Sequence, residues 1–143
     1  MNDEKFFDLH TTGIGYLHRA RCVTVRKGNF WAVDISALSG SAEDVQYTRL
    51  DAKVVGQEAR MLIERLESVI NDRDRKVLVS FRVGDLVPEV FRYKKGERAG
   101  EYGVSLKCRL LKILSVKIDG QTYPSPQQRQ QQQSSQQPVR ASA

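Results

Sequence analysis

Strand-like stretches of alternating apolar and polar residues, one segment of helical period between the third and fourth strands, and a Gly-containing turn joining the last two strands predict an all-β chain with one helix. Strand, strand, strand, helix, strand, hairpin strand is the order of a closed five-stranded barrel of the OB type. The alternative arrangement for the same elements is a twisted open sheet with one covering helix.

The first strand is read over Ile14–Val25, where β-branched residues recur, and Lys27-Gly28-Asn29 marks the turn that follows. Phe30–Leu38 alternates, with Trp31, Val33 and Ile35 on one side and Phe30, Asp34 and Ser36 on the other. Ser39-Gly40-Ser41 opens a polar loop through Asp44. In Val45–Val55, Leu50, Ala52 and Val54 form the apolar face, and Tyr47, Arg49, Asp51 and Lys53 the opposite one. From Gln57, apolar residues at Ala59, Leu62, Ile63, Leu66, Val69 and Ile70 make one helical stripe of about four turns, wide enough to plug one end of a barrel. The fourth strand begins at Lys76, where Val77, Val79, Phe81 and Val83 alternate; Gly84-Asp85 and Pro88 break or bend it. Glu89–Lys94 and Tyr102–Leu114 then form a long β-hairpin around Lys95–Gly100.

Composition changes at Pro124. Eight of the last 20 residues are Gln, none is aromatic and none acidic, so 124–143 is expected to be a disordered tail after a single domain over 1–123. The 143-residue chain carries 23 basic and 17 acidic residues, a net charge of +6, which favours an anionic partner such as nucleic acid. No apolar run is long enough to span a bilayer, and the polar start Met1-Asn2-Asp3-Glu4-Lys5 does not read as a secretory signal, so a cytoplasmic protein with no membrane partner is expected.

Catalytic chemistry has little to stand on. His10 and His18 have no Cys or carboxylate at ligand spacing, and Cys22 and Cys108 read as buried inert thiols, so neither an enzyme nor a metal or other cofactor is expected. Gly13-Ile14-Gly15 resembles the start of a phosphate loop, but no helix and no Gly-Lys-Ser/Thr follows; glycines there let a barrel strand coil sharply. The basic residues are more informative. Arg92, Lys94, Lys95, Arg98, Lys107, Arg109 and Lys112 lie within 22 residues, opposed by Glu97 and Glu101 and interleaved with Phe91, Tyr93 and Tyr102. Charge that tracks a phosphate backbone, beside rings on which bases stack, is what single-strand binding needs. The alternative is a solvated hairpin whose rings cover the edge of the core. Tyr47, Arg49 and Lys53 occupy the non-core face of the third strand, which OB folds use for oligonucleotides.

The segments Gly13-Ile14-Gly15-Tyr16-Leu17, Phe30–Ile35, Tyr47–Gly56 with the helix after it, Lys76–Arg82 and Phe91–Tyr102 resemble, in order and spacing, those of bacterial single-stranded-DNA-binding proteins over about residues 10–115. Phe7–Leu17 is similar to the branch encoded on integrative and conjugative elements. The resemblance implies a homotetramer of OB folds that coats single-stranded DNA during replication or transfer. This chain departs from that family at Pro138–Ala143, which lacks the acidic tip and terminal Phe that recruit partner enzymes. It also lacks the stacking tryptophans, Trp31 being core-facing by alternation.

The expectation is therefore sequence-tolerant binding of single-stranded DNA by an OB-fold homotetramer. Arg49, Lys53, Arg82, Arg92, Lys94, Lys95, Arg98, Lys107 and Arg109 would contact phosphates; Tyr47, Phe91, Tyr93 and Tyr102 would stack on bases. Replication or conjugation proteins are the expected partners of the tail. A protein–protein adaptor within such a complex is the second reading.

Overall fold

The computed structural model describes residues 7–124. Its elements run β1 (His10–Val25), β2 (Gly28–Ser39), β3 (Gln46–Val54), α1 (Gln57–Arg65), α2 (Glu67–Ile70), β4 (Val77–Arg92), β5 (Tyr102–Ile118) and β6 (Gln121–Tyr123). β1 pairs antiparallel with both β2 and β4, β2 with β3, and β4 with β5. β3 then closes the ring by running parallel to β5 from Leu50↔Leu106 to Val54↔Leu110. This closure is the five-stranded OB barrel, and it excludes the open sheet.

Alternation fills the barrel as the sequence predicts. Val33 and Ile35 of β2, Leu50, Ala52 and Val54 of β3, and Val77, Val79, Phe81 and Val83 of β4 are buried inside. Trp31 is partly buried and packs on this core. Gly15 lies where β1 is paired with Ala37 on one side and Val79 on the other. A Cβ there would meet the Ser36 carbonyl oxygen at 2.7 Å, so only glycine allows this approach as the strand coils.

The helical stripe buries Ala59, Ile63, Leu66 and Ile70 against the core. The expected single helix is interrupted, however: Leu66, at φ −99° and ψ 10°, separates α1 from α2. Leu66 is itself buried, so the apolar stripe continues across the break.

β4 runs unbroken to Arg92, so Gly84, Asp85 and Pro88 bend this strand rather than end it. The register against β5 slips between Gly84 and Val87, and Asp85 sits at φ 55°. Up to Gly84 the strand is core; from Glu89 and Ser105 outward, beyond the last pairing of β5 with β3, β4 and β5 form a two-stranded arm. β1 begins at His10 and β5 continues to Ile118, both further than their apolar patterns indicate. β6, which pairs with the end of β5, was not expected; Asp119 and Gly120, both at positive φ, make the turn into it.

One local expectation is corrected. Cys22 is exposed, in the part of β1 that pairs with β2 beyond the end of its pairing with β4; Cys108 is the buried thiol, its pKa pushed up to about 11 by burial and by the Asp51 charge. Asp34, on the side of β2 opposite Val33 and Ile35, is nevertheless 1 % exposed because arginine side chains cover it. The Gln-rich segment beyond Pro124 lies outside the described residues. Among the described residues, no helix is long and apolar enough to cross a membrane.

Candidate nucleic-acid interface

The site starts from an irregularity in β1. His18 lies opposite Asp34 and Arg21 opposite Ala32, so Arg19 and Ala20 together face the one residue Val33. This is a β-bulge, and Arg19 adopts the left-handed conformation at φ 52°. The extra residue turns Ala20 into the core and delivers both Arg19 and Arg21 to the outer face beside Asp34. Asn71, at the end of α2, fixes the bulge: its Oδ1 accepts from the Ala20 N–H at 2.8 Å, and its Nδ2 donates to the Ala20 carbonyl at 2.9 Å.

On that face two carboxylates organise four cations. Asp34 Oδ2 accepts from Arg19 Nε at 2.8 Å and from a terminal nitrogen of Arg49, and Asp34 Oδ1 accepts from Arg21 at 3.2 Å. Arg21 reaches on to Asp51 at 3.1 Å, and Lys107 donates to the other Asp51 oxygen at 2.6 Å. Burial by itself raises the Asp34 carboxyl, but hydrogen bonds from Arg19 and Arg49, with their charges, outweigh it and hold the group below the usual carboxylate range. The hydrogen bond to Asp34 in turn raises Arg19. Four cations against two carboxylates leave the network positive.

The arm supplies the opposite wall. Phe91 lies across from Gly103, and the Phe91 and Tyr93 rings meet edge to face with centroids 4.9 Å apart. A Cβ on Gly103 would stand 2.6 Å from Phe91 Cζ, so the missing side chain is what lets the ring lie down on β5. Arg98 stacks over Tyr93 at 4.6 Å and donates to its hydroxyl at 3.3 Å. Between arm and barrel is a cleft of about 270 Å³, lined by Arg19, Asp34, Arg49 and Asp51 on one side and Phe91, Tyr93, Val104 and Ser105 on the other.

Of the residues singled out in the sequence, Arg49, Phe91 and Tyr93 meet in this cleft, with Arg98 behind Tyr93 and Lys107 beside Asp51. Lys53 lies over the Phe30 ring at 4.7 Å, in a neighbouring groove it shares with Arg21 and Lys107. Others lie elsewhere. Tyr47 lines a separate cleft with Tyr16, His18 and Arg75. Tyr102 pairs with Arg92 on the arm's other face, under that guanidinium at 5.4 Å. Arg82 is paired with Thr12 and Lys112, and Arg109 forms an ion pair with Asp85 at 2.9 Å. Lys94 and Lys95, both exposed, lie where the arm ends. Sequence reasoning missed Arg19, Arg21, Asp34, Asp51 and Gly103. The signal available was one of phase: with Leu17 facing the core, strict alternation turns Arg19 and Arg21 inward and Ala20 outward, and a bulge between them reverses this.

Residues 1–132 match the family described as "Protein of unknown function (DUF3577)". The chain belongs to that family. No curated protein matches the sequence. Among solved structures, the DUF3577 chain is similar to the crystal structure of a small single-stranded DNA binding protein from Mycoplasma pneumoniae, with a TM-score of 0.38 and 11% identity over 76% of this chain and 93% of that one. The OB assignment of the DUF3577 chain rests on its own strand pairing, β3 to β5 above all. Among the described residues of this DUF3577 member, no group of three or more His, Cys, Asp or Glu could hold a metal ion.

Proposed function

We propose that this protein binds single-stranded DNA with little sequence preference and carries out no catalysis itself. The observation that carries the reading is the cleft in which Phe91 and Tyr93 face Arg19 and Arg49. Rings offer stacking surfaces to any base, and guanidinium forks take phosphates in bidentate fashion, so this pairing of walls suits a strand with unpaired bases. Lys53 and Lys107 continue the positive path along β3 and β5, and Tyr47 is a further stacker beyond Arg49. The arm's Arg92, Lys94, Lys95 and Arg98 add electrostatic attraction at its end, and Tyr102 offers a ring on its other face. Arg82 and Arg109 serve as peripheral phosphate contacts.

The finer setting follows from the resemblance of Phe7–Leu17 and of the strand segments. We place the protein in the cytoplasm, as a homotetramer acting in replication or transfer of a mobile element, with partner proteins on its Gln-rich tail. Light scattering that returns a stable monomer at micromolar concentration rejects the tetramer. The adaptor reading draws on exposed Val90 and Val104, which face each other on the arm. Fluorescence anisotropy of labelled oligo(dT) separates the two: saturable binding supports the single-strand reading, and no binding at low salt leaves the adaptor.

A further inference from the structure

We infer that Asp34 is a positioning residue, whose buried carboxylate fans the guanidinium groups of Arg19 and Arg49 over the arm cleft and so sets how tightly a phosphodiester strand is held. This rests on the single-strand reading above. Among the described residues, Asp34 is the buried charged side chain, at 1 % exposure, whereas the side chains of Arg19 and Arg49 that bond to it are 59% and 69% exposed. The anchor is interior and its two cations are on the surface.

A guanidinium has five N–H donors. Arg19 gives Asp34 only its Nε–H, and Arg49 gives it one terminal nitrogen. Among the described residues no other acceptor is bonded to either group, so each keeps a fork for a ligand that also contacts Phe91 and Tyr93 across the cleft. Arg21 differs: it is bonded to Asp34, to the Arg19 carbonyl and to Asp51, and is 27% exposed. It ties the two carboxylates together and has little left for a phosphate. The charged groups around Asp34 are thus Arg19 and Arg21 from β1, Arg49 and Asp51 from β3 and, through Asp51, Lys107 from β5, with His18 opposite it on β1. An anion in the centre of a surface meant for phosphates lowers its net attraction, unless its effect is to fix the cations that remain.

That opposition gives a test by sign. Asp34→Asn removes a negative charge from the binding face. If Asp34 only offsets charge, the variant binds oligo(dT) more tightly; if it positions the arginines, the variant binds about tenfold more weakly at moderate salt, since well-placed charge-assisted hydrogen bonds are lost. Arg49→Lys keeps the charge but not the fork, so it should also weaken binding with an unchanged salt slope. In the double variant the Arg49→Lys loss should largely disappear, because the two act as a unit. Additive losses, or an Asp34→Asn protein that is folded and binds more tightly, overturn the inference. Should Asp34→Asn not fold by circular dichroism, Arg19→Lys and Arg49→Lys decide it: weaker binding at equal slope supports positioning, and wild-type affinity rejects it. Failure of the wild-type chain itself to bind oligo(dT) is a separate result, which overturns the single-strand reading together with this one.

Discussion

Asn71 holds Ala20 at both of its backbone polar groups, 51 residues away in the chain. The pair joins the end of α2 to the bulge that displays Arg19. Replacing Asn71 by Ala leaves the Ala20 N–H and carbonyl without these partners. The expected cost is about 1–3 kcal/mol in urea denaturation, the range for an unsatisfied buried polar group. Binding of oligo(dT) should weaken as well, because Arg19 loses the backbone conformation that places it on Asp34. An Asn71→Ala protein of wild-type stability and affinity would show that the bulge holds itself.

The rings and the charges should separate in their salt dependence. Phe91→Ala or Tyr93→Ala should weaken single-strand binding by about 1–3 kcal/mol and leave the salt slope almost unchanged. Gly103→Ala should do the same without removing a ring, since its Cβ would stand 2.6 Å from Phe91 Cζ and lift it off β5. Lys94→Ala with Lys95→Ala should instead make the slope shallower, by at most about 0.7 for each phosphate no longer neutralised. If folded ring variants bind like wild type while the lysine variant fails, the arm is an electrostatic one, and stacking belongs at Tyr47.

Acid should destabilise the protein through Asp34. Its folded pKa lies below the ordinary value of an unfolded Asp, about 3.9, so the ionised form favours the fold. That contribution is complete above the unfolded pKa and is lost as pH falls through the folded one. Thermal melts should therefore show a steep loss of stability below about pH 4. In Asp34→Asn this part of the loss should be absent, although the variant starts from a lower stability because the arginines lose their partner. Parallel pH profiles for the two proteins would exclude Asp34 as the source.

The two thiols should differ in reactivity. Cys22 is exposed, while Cys108 is buried with its pKa at about 11. At pH 8 a thiol-reactive reagent should label one cysteine of the native protein quickly and the second only after denaturant is added. Mass spectrometry of the peptides should place the fast label on Cys22. Equal fast labelling would mean that β5 opens readily next to Asp51.

The barrel was legible because inward residues obey a period of two. Leu50, Ala52 and Val54 on β3, and Val77 to Val83 on β4, could be assigned to the core one residue at a time. The arm was legible from charge and from Phe91 and Tyr93 sharing a face. The other half of the cleft was not, because it depends on a departure from that period: the bulge at Arg19 shifts the face of everything after it in β1. Asp34 was placed on the correct side of β2, but its burial comes from three arginines on two other strands, a relation no local pattern carries. Tyr47 likewise shares a face with Arg49, yet the cleft it lines is made with Tyr16 and Arg75, which only closure of the barrel brings near.

On the single-strand reading, this face holds a strand by phosphates and unpaired bases together. A salt series of labelled oligo(dT) titrations, repeated with a duplex competitor, tests it most directly. Log affinity should fall linearly with log salt, with a slope of about −0.7 for each phosphate neutralised, and duplex should compete poorly because paired bases cannot reach Phe91 and Tyr93. Affinity that is flat in salt, or duplex that competes as well as oligo(dT), would contradict it.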